Sequence, residues 1–256
     1  MHERYARPGR NRAANRIYPV CLGLFLFKIH SRNFAMWRAP FAGHSGSSNG
    51  LRHSWSWRNW LRMDHYNKLL LFLSGMRLIP HIVLMLFSSN REMIWADLDR
   101  WSEALHLPKP SHDSIGRIFF FVRIMSFFPE YRNVFYMRAA RYGPLFKILC
   151  RPIADLFIRA DSIGPGLFVQ HGYGTSVWAA TIGKNFWVNQ LVTVGYTNET
   201  DHPTIGDNVT INTGATVVGN VCIGNNSKVA ANSLVIDNVP PGATVIGVPA
   251  KIVWRG

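Results

Sequence analysis

Through the C-terminal part of the chain an aliphatic residue returns every six positions: Ile205, Ile211, Val217, Ile223, Val229 and Val235 follow one another without a gap. The same spacing runs earlier through Ile182, Val188 and Val194, and it begins with Ile163 and Val169. A small or apolar residue stands four places after most members, as at Phe186, Val192, Val209, Ala215 and Val221. Turn residues such as Gly206-Asp207-Asn208 and Gly224-Asn225-Asn226 fill the intervals. Such a period matches neither an α-helix nor a flat strand. It predicts a parallel β-helix in which each hexad is a short strand plus a turn and three hexads close a triangular coil. The aliphatic side chains then stack inside the prism on equivalents about 4.8 Å away, and residues 163 to 240 supply about four coils.

A β-helix extrudes extra residues as loops, so breaks in the period are informative. Between Val169 and Ile182 lie thirteen positions instead of twelve, around His171-Gly-Tyr-Gly174. Between Val194 and Ile205 lie eleven instead of six, around Thr197-Asn-Glu-Thr-Asp-His-Pro203. Each break carries one of the two histidines of this region, His171 and His202. A regular array with histidines confined to its irregularities is a scaffold for a site.

The rest of the chain is different. Residues 1–62 hold ten Arg and Lys28 against Glu3, which accounts for most of the formal charge of +14. This stretch reads as a poorly ordered basic extension ahead of Met63. Residues 63–152 read as a helical domain. The apolar run from Leu69 to Phe87 is interrupted by Arg77, Pro80 and His81, which makes a poor membrane span and predicts two helices broken at Pro80. Ile94, Leu98, Trp101 and Leu105 fall on one face of an amphipathic helix that ends before Pro108, with the acids on the other faces. Aromatic and basic residues then alternate from Ile118 to Lys147. They form a core or a platform lying on the inner face of a membrane. Residues 153–256 form the β-helix, and from residue 151 onward the chain carries six acids and six bases, so the charge excess says little about the chemistry. Cys21, Cys150 and Cys222 are widely spread with no CxxC pair, which argues against a disulfide framework or a thiolate metal site and for a reducing compartment.

Three segments of the β-helix resemble the hexapeptide-repeat acyltransferases, in their serine acetyltransferase-like branch. They are Ile163-Gly-Pro-Gly-Leu-Phe-Val-Gln-His-Gly172, Asp201-His-Pro-Thr-Ile-Gly206 and the closing Val239-Pro-Pro-Gly-Ala-Thr-Val-Ile-Gly-Val-Pro-Ala-Lys-Ile-Val253. The resemblance implies an α+β chain, an N-terminal helical region followed by a left-handed parallel β-helix, that works as a cytoplasmic homotrimer and uses acetyl-CoA without a metal. It implies His171 as the base and His202 as the residue that positions the acceptor or stabilises the intermediate. Neutral imidazole suits the first task near neutral pH. By the same resemblance Gly195, Thr213 and Ala231 lie along the acetyl-CoA path, with Lys251 as a phosphate partner.

The departures concern the acceptor. Serine acetyltransferases place an acid before the first histidine, an arginine before the second and a further acid fifteen positions upstream of the first. Here these positions hold Gln170, Asp201 and Leu156. Gln170 and Asp201 are therefore the candidate acceptor residues, and Asp155 or Asp161 the candidate orienting acid. The expected activity is O-acetylation of a neutral hydroxyl, on a sugar of a surface polysaccharide or its precursor, with peripheral membrane contact through the helices. The alternatives are serine O-acetylation in cysteine biosynthesis and a non-catalytic β-helix scaffold. A zinc enzyme on this fold would need three histidines, and no nucleic-acid motif accompanies the basic segment.

Overall fold

The structure is a computed structural model, and it describes residues 65–110, 113–139, 143–198 and 200–255. The basic extension expected over residues 1–62 lies outside the described residues. Among the described residues five helices come first: α1 (His65–Phe87), α2 (Arg91–Ala104), α3 (Ser114–Phe127), α4 (Pro129–Arg138) and the short α5 (Gly143–Phe146). Strands follow: β1 (Leu156–Arg159), β2 (Ser162–Ile163), β3 (Phe168–Gln170), β4 (Thr175–Trp178), β5 (Thr181–Ile182), β6 (Trp187–Asn189), β7 (Thr193–Gly195), β8 (Thr204–Ile205), β9 (Thr210–Ile211), β10 (Thr216–Val218), β11 (Cys222–Ile223), β12 (Lys228–Val229), β13 (Leu234–Val235), β14 (Ala243–Gly247) and β15 (Ala250–Arg255).

The expected break at Pro80 does not occur, because α1 runs through it. A helical proline costs about 3 kcal/mol. Leu78, His81 and Met85 are fully buried on either side of it, and each buried Leu or Met returns about 1.5–3 kcal/mol. The same face thus holds the helix together on both sides of the proline. Among the described residues no single helix is long and apolar enough to cross a membrane.

In α2 the expected stripe of Ile94, Leu98 and Trp101 is buried. Asp97 overturns the expectation that the acids occupy the other faces, since it is also buried. Its Oδ1 accepts the backbone N–H groups of Gly166 and Leu167, each at 2.8 Å, and its Oδ2 accepts from Arg138 Nε at 2.9 Å. Arg138 also donates to the carbonyls of Ile163 and Gly164. This polar clamp fastens two helices to the first coil. Beside it Trp101 donates to the Leu167 carbonyl at 3.0 Å and meets Phe168 and Tyr131 edge-on. The helical layer therefore packs on the β-helix through a mixed polar and aromatic joint.

The strands form three parallel faces: β1-β4-β7-β10-β13, β2-β5-β8-β11 and β3-β6-β9-β12-β14, with β15 folding back antiparallel on β14. They make about five coils, one more than the six-residue period counts. The additional residues are Leu156–Arg159 at the start and Ala243–Gly247 at the end. Inward residues stack in three columns, which are Ile158, Val177, Val194, Val217 and Val235; Ile163, Ile182, Ile205, Ile223 and Val239; and Val169, Val188, Ile211, Val229 and Val245. At one corner Asn185, Asn208 and Asn226 take left-handed backbone with φ 56, 55 and 61°, a conformation that asparagine accepts readily. Their side-chain amides bond along the axis at 2.9 and 3.0 Å.

Candidate active site

The first irregularity follows β3 (Phe168–Gln170). His171 sits at φ 65°, Gly172 at 49° and Gly174 at 60°. This tight turn closes by a bond from Tyr173 N to the His171 carbonyl at 2.6 Å, and Asp155 Oδ2 accepts the Gly174 N–H at 2.9 Å. Leu191, itself left-handed at φ 59°, donates its N–H to the Tyr173 carbonyl from the next coil. A side chain at Gly172 would be strained on this left-handed backbone. A Cβ there would lie 3.0 Å from Leu156 Cδ2 and Val169 Cγ1 and 3.3 Å from Glu130 Cγ. The outcome is an exposed imidazole on a backbone that is packed from beneath.

Glu130, in the first turn of α4, is the acid that packs under this turn, and it was not legible as a site residue. It is buried, and burial pushes its carboxyl above the usual carboxylate range, while its own backbone N–H and the nearby His171 and Arg132 pull it back. Of the two acids expected to orient His171, Asp155 serves the loop backbone, and Asp161 is exposed. The only sequence sign of Glu130 is a lone carboxylate in an aromatic block, between Phe127-Phe128-Pro129 and Tyr131.

The second irregularity leaves β7 (Thr193–Gly195) and re-enters at β8 (Thr204–Ile205). Asp201 organises it. Its Oδ1 accepts from the backbone of Thr197 at 2.8 Å and of Asn198 at 2.9 Å, and its Oδ2 accepts the Thr197 hydroxyl. These donors, the hydroxyl foremost, hold the carboxyl below its ordinary range. His202 is half-buried, with its ring 4.5 Å from that of Tyr196. Tyr196 meets Trp178 at 6.4 Å, and the Arg159 guanidinium lies 5.0 Å above Trp178. The row Arg159, Trp178, Tyr196, His202 thus descends one edge of the prism. Arg159 and Trp178 also line a cleft of about 420 Å³ between α4 and the first coil.

Register assigns each candidate to a corner. Gln170 pairs with Asn189, Val188 with Ile211 and Ile211 with Val229. His171, Gln190, Thr213 and Ala231 therefore occupy one column, at the corner between the third and first faces. The bond from Asn232 N to the Thr213 carbonyl at 2.9 Å and the half-buried Thr213 hydroxyl, 3.4 Å from Asn189 Nδ2, belong to this column. His202 and Gly195 stand at the next corner, between the first and second faces. A Cβ on Gly195 would meet nothing within 4 Å. Lys251 lies exposed on β15, opposite Ile246. One chain thus places the two histidines, and the residues expected along the acetyl-CoA path, at two different edges of one face. Among the described residues no group of three His, Cys, Asp or Glu side chains could hold a metal ion.

Comparison with known proteins bears on this arrangement. A family model described as bacterial transferase hexapeptide (six repeats) matches residues 202–237. A serine acetyltransferase of Staphylococcus aureus (strain Mu50) is 45% identical over 95 residues, which is 36% of this chain and 45% of that protein. One from Synechococcus elongatus is 37% identical over 97 residues, 36% of this chain and 40% of that protein. The chain thus spans less than half the length of these curated relatives. Among solved structures, soybean serine acetyltransferase apoenzyme aligns at 30% identity and TM-score 0.50, covering 72% of this chain and 73% of its own. Serine acetyltransferase from Brucella abortus strain S19 aligns at 25% identity and TM-score 0.51, covering 64% and 69%. The shared architecture is N-terminal helices followed by a left-handed parallel β-helix.

Proposed function

The chain belongs to the hexapeptide-repeat acyltransferases, in their serine acetyltransferase-like branch, and from that membership we propose that it transfers acetyl from acetyl-CoA to a hydroxyl. The observation that carries this reading is the pair of loops that interrupt an otherwise regular β-helix, each presenting one imidazole. His171, exposed on its packed turn, takes the proton of the acceptor hydroxyl. The oxygen attacks the thioester carbonyl, a C–O bond forms, and the C–S bond breaks as the tetrahedral intermediate collapses. The proton held by His171 passes to the departing CoA sulfur, so the imidazole ends neutral. His202, steadied against Tyr196, positions the acceptor or donates to the oxyanion.

The acceptor is a sugar hydroxyl of a surface polysaccharide or its lipid-linked precursor. Asp201 stands before His202 with its carboxylate held by Thr197 and Asn198, so that position offers no cation to a free carboxylate. Trp178 and Tyr196 supply flat apolar faces on the approach. The names of the relatives favour a second acceptor, L-serine. The assembly in this reading is a homotrimer, in which the His202 corner of one copy meets the His171 corner of the next, because one chain holds its two histidines at different corners. The outer face of α1, with Phe72, Met76, Ile79, Val83 and Phe87 exposed, rests on the cytoplasmic surface of a membrane, where a lipid-linked acceptor would be found.

The test is release of free CoA thiol by the purified protein, with acetyl-CoA and a panel of L-serine, free hexoses and diphosphate-linked sugars. Turnover with a sugar and loss of it in His171→Ala are expected, and efficient turnover with serine would shift the acceptor to the second reading. No CoA release with any hydroxyl would overturn the transferase itself. Co-flotation with anionic vesicles checks the membrane contact.

A further inference from the structure

An acceptor is selected by what surrounds its hydroxyl, and on this chain the surroundings of His202 lead to a cationic cleft. From His202 the row passes over Tyr196 and Trp178, with ring centroids 4.5 and then 6.4 Å apart, to the Arg159 guanidinium 5.0 Å above Trp178. There it enters the cleft of about 420 Å³ between α4 and the first coil, within the about 300–1,000 Å³ of small-molecule sites. Two cations line this cleft, Lys147 and Arg159, and no acid does. Neither forms an ion pair among the described residues. Each instead lies over an aromatic ring, Arg159 over Trp178 and Lys147 over Tyr136 at 6.0 Å. A ring face steadies a cation without cancelling its charge. A cleft lined by one sign of charge concentrates ions of the other, so its ligand is an anion.

Two anions are poor matches. The residues expected along the acetyl-CoA path run from His171 through Thr213 and Ala231 to Lys251 on β15, toward the last coil and at a different corner. The phosphates of CoA therefore point away from a cleft at the first coil. In free serine the hydroxyl stands two carbons from the carboxylate, whereas two aromatic rings separate His202 from Arg159. A sugar with a diphosphate on its anomeric carbon has the required form, with an apolar ring face for the aromatics and an anionic tail beyond. We propose that this cleft is the phosphate site of the acceptor, in which Arg159 as a bidentate fork and Lys147 as a point charge hold the diphosphate of a diphosphate-linked sugar. The sugar ring stacks on Trp178 and Tyr196, and one of its hydroxyls reaches His202. The inference rests on the reading of the chain as a sugar O-acetyltransferase and names the chemical class of its acceptor.

The probe is inorganic diphosphate, titrated calorimetrically into the full-length protein in wild type, Arg159→Gln, Lys147→Gln and Lys184→Gln. All three side chains are exposed, so the changes leave the core intact. Lys184 faces Asp207 at 3.7 Å, does not line the cleft, and controls for net charge. Loss of one charge-assisted contact weakens binding on the order of tenfold to a hundredfold. That loss is expected in Arg159→Gln and in Lys147→Gln, with Lys184→Gln like wild type. In acetyl transfer, diphosphate should compete with a diphosphate-linked hexose and not with acetyl-CoA. UDP-glucose and geranyl-diphosphate-linked glucose share the diphosphate, and the tighter of the two identifies the carrier as a nucleotide or a lipid. Absence of saturable diphosphate binding, equal weakening in all three variants, or competition against acetyl-CoA would overturn the proposal. If diphosphate binds through Arg159 and Lys147 while no hydroxyl supports CoA release, the site stands and the transferase reading falls. Turnover of serine or free hexoses without diphosphate binding would leave the transferase and remove the site.

Discussion

His81 makes the stability of the helical layer depend on pH in a way that can be calculated. It is fully buried between α1 and α4. Its Nε2 lies 2.9 Å from Tyr136 Oη, and that hydroxyl donates to the Cys150 carbonyl at 2.7 Å. With the hydroxyl proton used in this way, Nε2 carries the ring proton, and Nδ1 has no partner. A second proton would have to go on Nδ1, in a site walled by Phe135 and Phe146. Burial accordingly lowers the His81 pKa from 6.5 to about 4, with Arg77 and Arg132 adding to the shift and a backbone bond to Phe146 opposing it. The unfolded chain binds this proton below pH 6.5 and the folded chain only near pH 4. The contribution is therefore complete above pH 6.5 and is lost as pH falls through that window. At about 1.4 kcal/mol per pH unit it amounts to about 3 kcal/mol. His81→Leu removes the titration and sacrifices one hydrogen bond, worth about 1 kcal/mol. Relative to wild type, the variant should be slightly less stable at pH 7.5 and about 2 kcal/mol more stable at pH 4.5. Urea unfolding followed by the fluorescence of buried Trp101 measures the difference, and the other titrating groups cancel between the two proteins. A wild-type-minus-variant difference that stays constant across this range would refute the reasoning.

Two further outcomes follow from the geometry. Asp97→Ala leaves the Arg138 guanidinium buried without its partner and orphans two backbone N–H groups, so it should cost on the order of 3–5 kcal/mol in chemical denaturation. A loss below about 1 kcal/mol would mean that the clamp does not join helices to coil. If each site combines the His171 corner of one copy with the His202 corner of the next, co-expressed His171→Ala and His202→Ala chains should recover roughly a quarter of wild-type turnover by random assembly. No recovery in verified mixed oligomers would place both histidines in a site within one chain.

The β-helix was legible because its inward positions are fixed by a repeat that the chain cannot violate without losing a buried side chain from a column. What escaped were the places where the repeat bends. Val177 is fully buried in the first column, yet it stands eight residues after Val169 and five before Ile182, so a search for sixes passes over it. The coil begun by Leu156-Phe157-Ile158 was missed for the same reason. In the helices, local rules gave way to tertiary contacts. Pro80 stays inside α1 because buried anchors flank it, and Asp97 goes inward because the first coil presents two N–H donors and Arg138 a guanidinium.

The site was legible in one direction only. Both histidines betray themselves by sitting where the period fails, because a residue outside the repeat is free of the stacking constraint. Glu130 cannot be found this way, since its neighbourhood of His171 exists only after α4 has docked on the first coil, and nothing in the spacing of 41 residues encodes that. Position along a repeat carries a different kind of information. Residues 19, 23 and 18 apart, such as His171, Gln190, Thr213 and Ala231, share a corner once the two insertions are counted, whereas His171 and His202 differ by a spacing that crosses a whole face. A β-helix holds its corners apart rigidly, so a reaction that needs both imidazoles on one substrate must either move the long loop across the face or bring a second copy against it. The Asp201 bonds that fasten that loop to itself weigh against the first course.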